Sequence, residues 1–243
     1  PAPTFNVLNE MLNTGFLEKF IPPIRMVRNR IQYDEYHLYP VDKHLLRTVQ
    51  TIKNFGVDEN TDLDPFLIQL YKSLKNRKLL LWAALLHDIG KGVATKDHSK
   101  KGAEMVKRIL EVKGFRDKDI ATISFLVGKH LFLIKSATRR DLLDEETALF
   151  CAREISDIER LKMLYLLTVA DSISTGPNAW NDWTATLLKD LFFKVLGILK
   201  KGELRVGFEA GYMPFEMTDK KGRFVGFDID IAKQMAKAMG VKF

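Results

Sequence analysis

Five histidines occur in the chain, at positions 37, 44, 87, 98 and 130. Four of them fall where an apolar helix face or a tight loop turns them inward. His87 runs directly into Asp88 within Leu85-Leu86-His87-Asp88-Ile89-Gly90-Lys91-Gly92, and Asp171 closes the apolar run Leu166-Leu167-Thr168-Val169-Ala170. An imidazole and a carboxylate at the polar end of an apolar helix need a partner, because a buried charge left alone is costly. A divalent cation is such a partner. Mixed histidine and aspartate ligands suit borderline to hard metals, which leaves Mg, Mn, Fe, Zn and Co open. The adjacent pair His87-Asp88 can reach one ion from the end of a helical turn, and two further ligands from other helices would clamp it.

A single buried histidine is more often a satisfied core residue than a ligand, and a His-Asp dipeptide arises by chance. The ordered series of His44, then His87-Asp88, then Asp171, each in an apolar helical setting, is what favours the metal. No H-E-x-x-H, C-x-x-C, Walker loop or G-x-S-x-G pattern competes with it. Cys151, the one cysteine, cannot form an internal disulfide and reads as a core residue, which fits a reducing compartment.

The elements that must position these residues read as helices over residues 1 to about 202. Leu79, Trp82, Ala83, Leu86 and His87 share one face at helical spacing; so do Ile123, Leu126, Val127 and His130, and again Leu164, Leu167, Thr168 and Asp171. Asp64 before Pro65 is a helix cap, and Asp144 opens another helix. Gly114 and Gly176-Pro177 mark stops. Residues 203 to 243 have a different texture. Leu204 to Phe208 reads as a strand. Phe215 to Thr218 and Arg223 to Phe227 flank a hairpin-like turn, and Asp228 to Met239 forms an amphipathic helix with Ile229, Ala232, Met235 and Ala236 inward. Gly240 stops that helix, and a last strand starts at Val241. The fold expected is mainly α: an all-helical bundle over 1–202 with a small α/β tail over 203–243.

The chain has 243 residues, 46% of them hydrophobic, enough to bury a core. It begins at Pro1 rather than Met, so its true start is expected upstream. It shows no signal peptide and no run of roughly 18 uncharged apolar residues, so no membrane span is expected. The formal charge of +7 suits an anionic partner such as a phosphate ester or an acidic protein, and equally a well-solvated surface. Nothing resembles a nucleic-acid tail or an aromatic RNA-binding motif.

These residues resemble the HD superfamily of metal-dependent phosphohydrolases. The likeness extends to one branch, the uridylyl-removing domain of the bifunctional uridylyltransferase/uridylyl-removing enzymes of bacterial nitrogen signalling. It is carried by residues 32–37, Val41-Asp42-Lys43-His44-Leu45-Leu46-Arg47-Thr48, Leu86 to Gly92, Asp97-His98-Ser99, Ala137 to Asp141, Leu167 to Asp171, and Trp180-Asn181-Asp182-Trp183 with Leu187 to Lys194. Together these cover roughly residues 5 to 202 in order. The resemblance implies a cytoplasmic enzyme that hydrolyses UMP from the uridylylated PII signalling protein. It implies His44, His87, Asp88 and Asp171 as ligands of a first metal, with Asp88 orienting the attack. His98 and His130 would hold a second metal or contact phosphate, and Lys91 would neutralise developing phosphate charge. Arg139 and Arg140 would contact phosphate or partner, or make surface salt bridges, and His37 would support the site. Many HD enzymes carry paired histidines near His130; here Lys129 fills the first slot. No nucleotidyltransferase signature precedes residue 30. The alternatives are a generic HD nucleotidase or cyclic-nucleotide phosphodiesterase, and a non-catalytic binding module.

The tail resembles the start of the extracytoplasmic amino-acid-binding proteins of ABC transporters, through Leu204 to Phe208, Gly211-Tyr212-Met213-Pro214-Phe215-Glu216 and Gly226 to Ala232. Such a segment cannot enclose a ligand cavity. Those proteins work outside the cytoplasm, so a truncated or chimeric gene product is expected.

Overall fold

The structure is a computed structural model and describes residues 7–31, 39–57, 63–93, 97–142, 144–201, 214–215, 217–219 and 223–239. The segments around His37, the 204–208 strand, Tyr212 and the 241–243 strand lie outside the described residues. The chain divides into two compact units, Pro1–Arg140 with Glu159–Asp190, and Asp141–Ile158 with Leu191–Phe243. The unit containing the tail also takes in the segment 141–158 and the chain from Leu191 onward.

The first unit is helical. Two short helices, α1 (Val7–Asn13) and α2 (Phe16–Phe20), lead through a 3-10 turn at Pro22–Met26 to α3 (Val41–Asn54). Then come α4 (Pro65–Lys72), α5 (Arg77–Leu86), a 3-10 turn at Ile89–Gly92, α6 (His98–Val112), α7 (Asp117–Lys129) and α8 (Phe132–Arg139). The helix α10 (Ile158–Thr175) returns to this unit after α9 (Glu145–Ile155), and α11 (Asp182–Lys201) follows.

Local chemistry sets the helix starts. Asp64 accepts from the Phe66 amide at 2.9 Å with Pro65 at the first position of α4. Asn76 caps α5 through Lys78, Asp97 caps α6 through Lys100, and Asp144 caps α9 through Glu146. The turn after α6 is made by Gly114 at φ 73, a left-handed position that suits glycine. Cores follow from composition. Helix α10 buries Leu161, Leu164, Leu166, Leu167, Val169 and Ala170, which lie on every side of it, so it sits inside the bundle rather than on its surface. Each fully buried leucine contributes about 1.5–3 kcal/mol relative to exposure.

One residue of α5 departs from the expected facing. Trp82 is only half-buried and packs between Phe20 at 6.4 Å and Phe115 at 5.2 Å, ring centre to ring centre. Around it α5 buries Leu79, Leu80, Ala83, Ala84, Leu85 and Leu86, more than one face, because neighbours cover it on several sides. The stretch Asp117–Arg139 has the length and apolarity of a membrane crossing, which the sequence reading did not anticipate. It comprises α7 and α8, and its residues Ile120, Ile123, Leu126, Val127 and Leu133 are buried within the protein.

In the second unit, β1 (Met217–Thr218) and β2 (Phe224–Val225) pair antiparallel, Met217 opposite Val225 and Thr218 opposite Phe224. Both strands are shorter than the sequence predicts. The Asp219 carboxylate accepts from the Arg223 amide at 3.0 Å and the Arg223 guanidinium at 2.9 Å across the turn, and β2 gives way to α12 at Phe227. Helix α12 (Phe227–Met239) buries Ile229, Ala232 and Ala236, while Met235 is half-buried.

The close seat of the 3-10 turn at Ile89–Gly92 on α6 brings Asp88 and His98 to one place. A Cβ at Gly90 would lie 2.0 Å from the His98 carbonyl oxygen and 2.7 Å from the Gly102 nitrogen, both backbone atoms that cannot yield. A Cβ at Gly102 meets a Val127 methyl at 3.3 Å and the Gly90 nitrogen at 3.4 Å, a milder crowding. Gly90→Ala is therefore expected to lower stability by about 1–3 kcal/mol or more, and Gly102→Ala by less. Urea denaturation of the two variants measures this, and equal midpoints would contradict it.

Candidate metal centre

Five elements of the first unit contribute to one cluster. His44 comes from α3, and His87 stands at the end of α5 with Asp88 directly after it. His98 is the first residue of α6, His130 follows the last residue of α7, and Asp171 projects from α10. Helices α3 and α5, α5 and α7, and α6 and α7 pack against one another, which brings these ends together. Thr51 on α3 and Ser174 on α10 are hydrogen-bonded at 3.1 Å, tying the His44 and Asp171 helices near the site.

The distances are short. His44 Nε2 lies 2.9 Å from Asp171 Oδ1 and 3.1 Å from His87 Nε2. His87 Nε2 lies 3.3 Å from Asp171 Oδ1. Asp88 spans two groups: its Oδ2 faces His87 at 3.6 Å and His44 at 3.8 Å, while its Oδ1 faces His98 at 3.4 Å and His130 at 3.5 Å. In each trio, His44–His87–Asp88 and Asp88–His98–His130, the ligand atoms lie within 4.8 Å of one another. His44, His87, Asp88 and His130 are buried, and Asp171, Lys91 and His98 form the more open edge.

Two imidazoles are aimed by their own helices. The Nδ1–H of His87 donates to the Ala84 carbonyl at 2.9 Å, and that of His130 to the Val127 carbonyl at 2.7 Å. In both, Nε2 is left to face the cluster, the arrangement that fixes a ligand's tautomer. The Thr168 hydroxyl, shared between the carbonyls of Leu164 at 2.8 Å and His130 at 3.3 Å, links α10 to the His130 backbone.

Electrostatics follow from this crowding. Burial would raise the Asp88 pKa, yet the charge of His87, the contact from His130 and the Lys91 ammonium hold its carboxyl well below the usual range. Burial likewise opposes Asp171 ionising, and the neighbouring His87 and His44 outweigh it. Burial would lower His44, but the Asp171 carboxylate bonded to it, with Asp88 nearby, raises its pKa. Burial pushes His98 down to about 4 against the pull of Asp88, so it is a neutral imidazole near pH 7.

The donor set fits a divalent cation. Two carboxylates and four imidazoles converge, and Asp88 Oδ1 and His98 Nε2 are buried without a hydrogen bond among the described residues. Buried polar atoms left so are costly, and a bound cation satisfies both. The ligand atoms of His44, His87 and Asp88 lie close enough together to hold an ion, with Asp171 Oδ1 against both imidazoles, and so do those of Asp88, His98 and His130.

Of the residues singled out from sequence, Lys91 lies beside the first group, its ammonium 2.6 Å from Asp88 Oδ2, a contact the sequence did not foretell. Arg139 and Arg140 are exposed at the end of α8, and Cys151 is buried in α9. The roles of Gly90, Gly102 and Thr168 were missed; only the glycine within the helical pattern of α6 offered a signal, since such a glycine often marks close backbone approach.

Comparison with known proteins gives two family matches: the HD domain over residues 41–174, and the bacterial extracellular solute-binding proteins, family 3, over residues 204–243. The first contains every residue of the cluster. Curated relatives named bifunctional uridylyltransferase/uridylyl-removing enzyme include one from Gluconobacter oxydans, 39% identical over 81% of this chain and 20% of the relative. Another, from Vibrio cholerae, is 33% identical over 83% of this chain and 23% of the relative. A third, from Bordetella pertussis, is 37% identical over 82% of this chain and 23% of the relative. The chain thus spans about a fifth of the length of the curated relatives it matches.

Cation affinity is expected to weaken as pH falls through the raised His44 pKa, because binding must displace that proton. His98, neutral above about 4, adds nothing to the slope near neutrality. Competition with a chromophoric chelator across pH measures this; a flat profile contradicts it. Asp171→Asn should lower affinity at least about tenfold in the same assay.

Proposed function

The chain belongs to the HD domain family of metal-dependent phosphohydrolases, and we propose that it hydrolyses a phosphodiester, removing UMP from the uridylylated PII signalling protein. What carries the reading is the convergence of His44, the His87-Asp88 pair and Asp171, with the two imidazole Nε2 atoms 2.9 to 3.8 Å from one another and from the carboxylate oxygens. The substrate follows from the relatives, whose name includes uridylyl removal. PII as the acceptor rests on the resemblance of the sequence motifs to that branch.

We assign His44, His87, Asp88 and Asp171 to the first cation, and His98 and His130 to a second cation or to the phosphate. Mg, Mn, Fe, Zn or Co suits these ligands. A divalent ion held there supplies Lewis acidity to the phosphoryl group and acidity to a water. The residues do the rest. Asp88 orients the attacking water, and His98, which is neutral, faces the phosphoryl oxygens together with His130 from the other side of that carboxylate. Lys91 offsets the added charge on phosphorus. The P–O bond to the tyrosine oxygen breaks, the proton taken from water goes to the leaving phenolate, and UMP and unmodified PII are released. Arg139 and Arg140, exposed, are assigned to partner contact. The reaction is placed in the cytoplasm, and the functional boundary after residue 202, between the two family matches. Residues 203–243 take no part in it.

Asp88→Ala is expected to reduce release of UMP from uridylylated PII at least about a thousandfold, roughly 4 kcal/mol of transition-state stabilisation, with helical content by circular dichroism unchanged. Turnover that survives in this variant rules out the assignment. Faster cleavage of free or cyclic nucleotides than of uridylylated PII would make the chain a general HD nucleotidase instead.

A further inference from the structure

Lys91 places a positive charge inside the first ligand group. Its ammonium lies 2.6 Å from Asp88 Oδ2. That same oxygen faces His87 at 3.6 Å and His44 at 3.8 Å, whereas the other carboxylate oxygen faces His98 and His130. The lysine is thus inserted into one trio and not the other. Its backbone is fixed: the Lys91 amide donates to the Asp88 carbonyl at 2.9 Å, in the turn that Gly90 seats against α6. Only the side chain is long enough to leave.

Resting on the metal-centre reading above, we propose that Lys91 is a built-in competitor for the first cation, its ammonium and the metal contending for Asp88 Oδ2. Two cations a few ångströms apart on one carboxylate oxygen repel strongly at low effective dielectric. Loading the first group therefore displaces the ammonium toward the open edge formed with Asp171 and His98. That edge is where an incoming phosphate meets the site. Two properties follow from one contact. The affinity for the first cation is held down by the lysine that must be expelled. The same event presents a cation to the substrate phosphate only after the metal is in place, so metal loading and phosphate recognition are coupled.

The test uses the full chain and Mn(II) as probe, with free Mn(II) read by electron paramagnetic resonance. Lys91→Met keeps the reach of the side chain and removes its charge; Lys91→Arg keeps the charge. Lys91→Met is expected to bind Mn(II) at least about tenfold tighter than the native chain, and Lys91→Arg no tighter. In EDTA the Met variant loses the counter-charge of Asp88, so its Tm should fall below the native value, and saturating Mn(II) should raise it by more than it raises the native chain. If Lys91→Met binds Mn(II) no more tightly while the native chain binds it, the competitor role is overturned and the metal centre stands. If the native chain takes up no Mn(II), Zn(II) or Fe(II), both are overturned.

Discussion

A carboxylate buried at the meeting point of several helices has to be surrounded by positive or hydrogen-bonding groups, and Asp88 imposes that requirement on the whole first unit. It is 2% exposed, and groups reach it from α3, α5, α6, α7 and the turn it opens. Each partner enters at a helix end or from an inward helix face. The bundle is therefore constrained by its polar centre as well as by its leucines: sliding α6 along α7 would strand Asp88 Oδ1, and shifting α3 would part His44 from Asp171. The tight contact of Gly90 with the α6 backbone is the steric counterpart of this electrostatic requirement.

The same arrangement accounts for the unlike states of the histidines. His44 is bonded to a carboxylate, which raises its pKa against its burial; burial lowers that of His98 to about 4. The two imidazoles thus hold their protons unequally, His44 more tightly than a free ring and His98 less. Neither state belongs to the residue type. Both come from which carboxylate oxygen lies nearest and how much water has been excluded.

The helices and their caps were legible because they depend on local chemistry: Asp64 before Pro65, Asp144 at the start of α9, Gly114 after α6. That His44, His87, Asp88 and Asp171 would lie together was legible because such residue types are rarely placed on apolar faces without a shared purpose. Less local features escaped. Trp82 follows the helical period of the core yet sits half-buried in an aromatic row, since periodicity gives direction and not depth. The contact of Lys91 with the carboxylate three residues before it depends on the turn at Ile89–Gly92 and carries no signal in the sequence. The second hairpin strand ends early because Phe227 already opens α12. The apolar length of Asp117–Arg139 shows the converse, a stretch that suffices by composition to cross a bilayer while half of its apolar window is buried inside the protein.

His87 and His130 each carry their own aiming device, a bond from one ring nitrogen to the carbonyl one turn back in the same helix. Ligand direction is thereby written into two short self-contained cassettes. The connecting segments need only deliver the helix ends, without dictating how the rings point. Loop length between such helices can then vary without turning the rings, since each bond lies within a single turn of backbone.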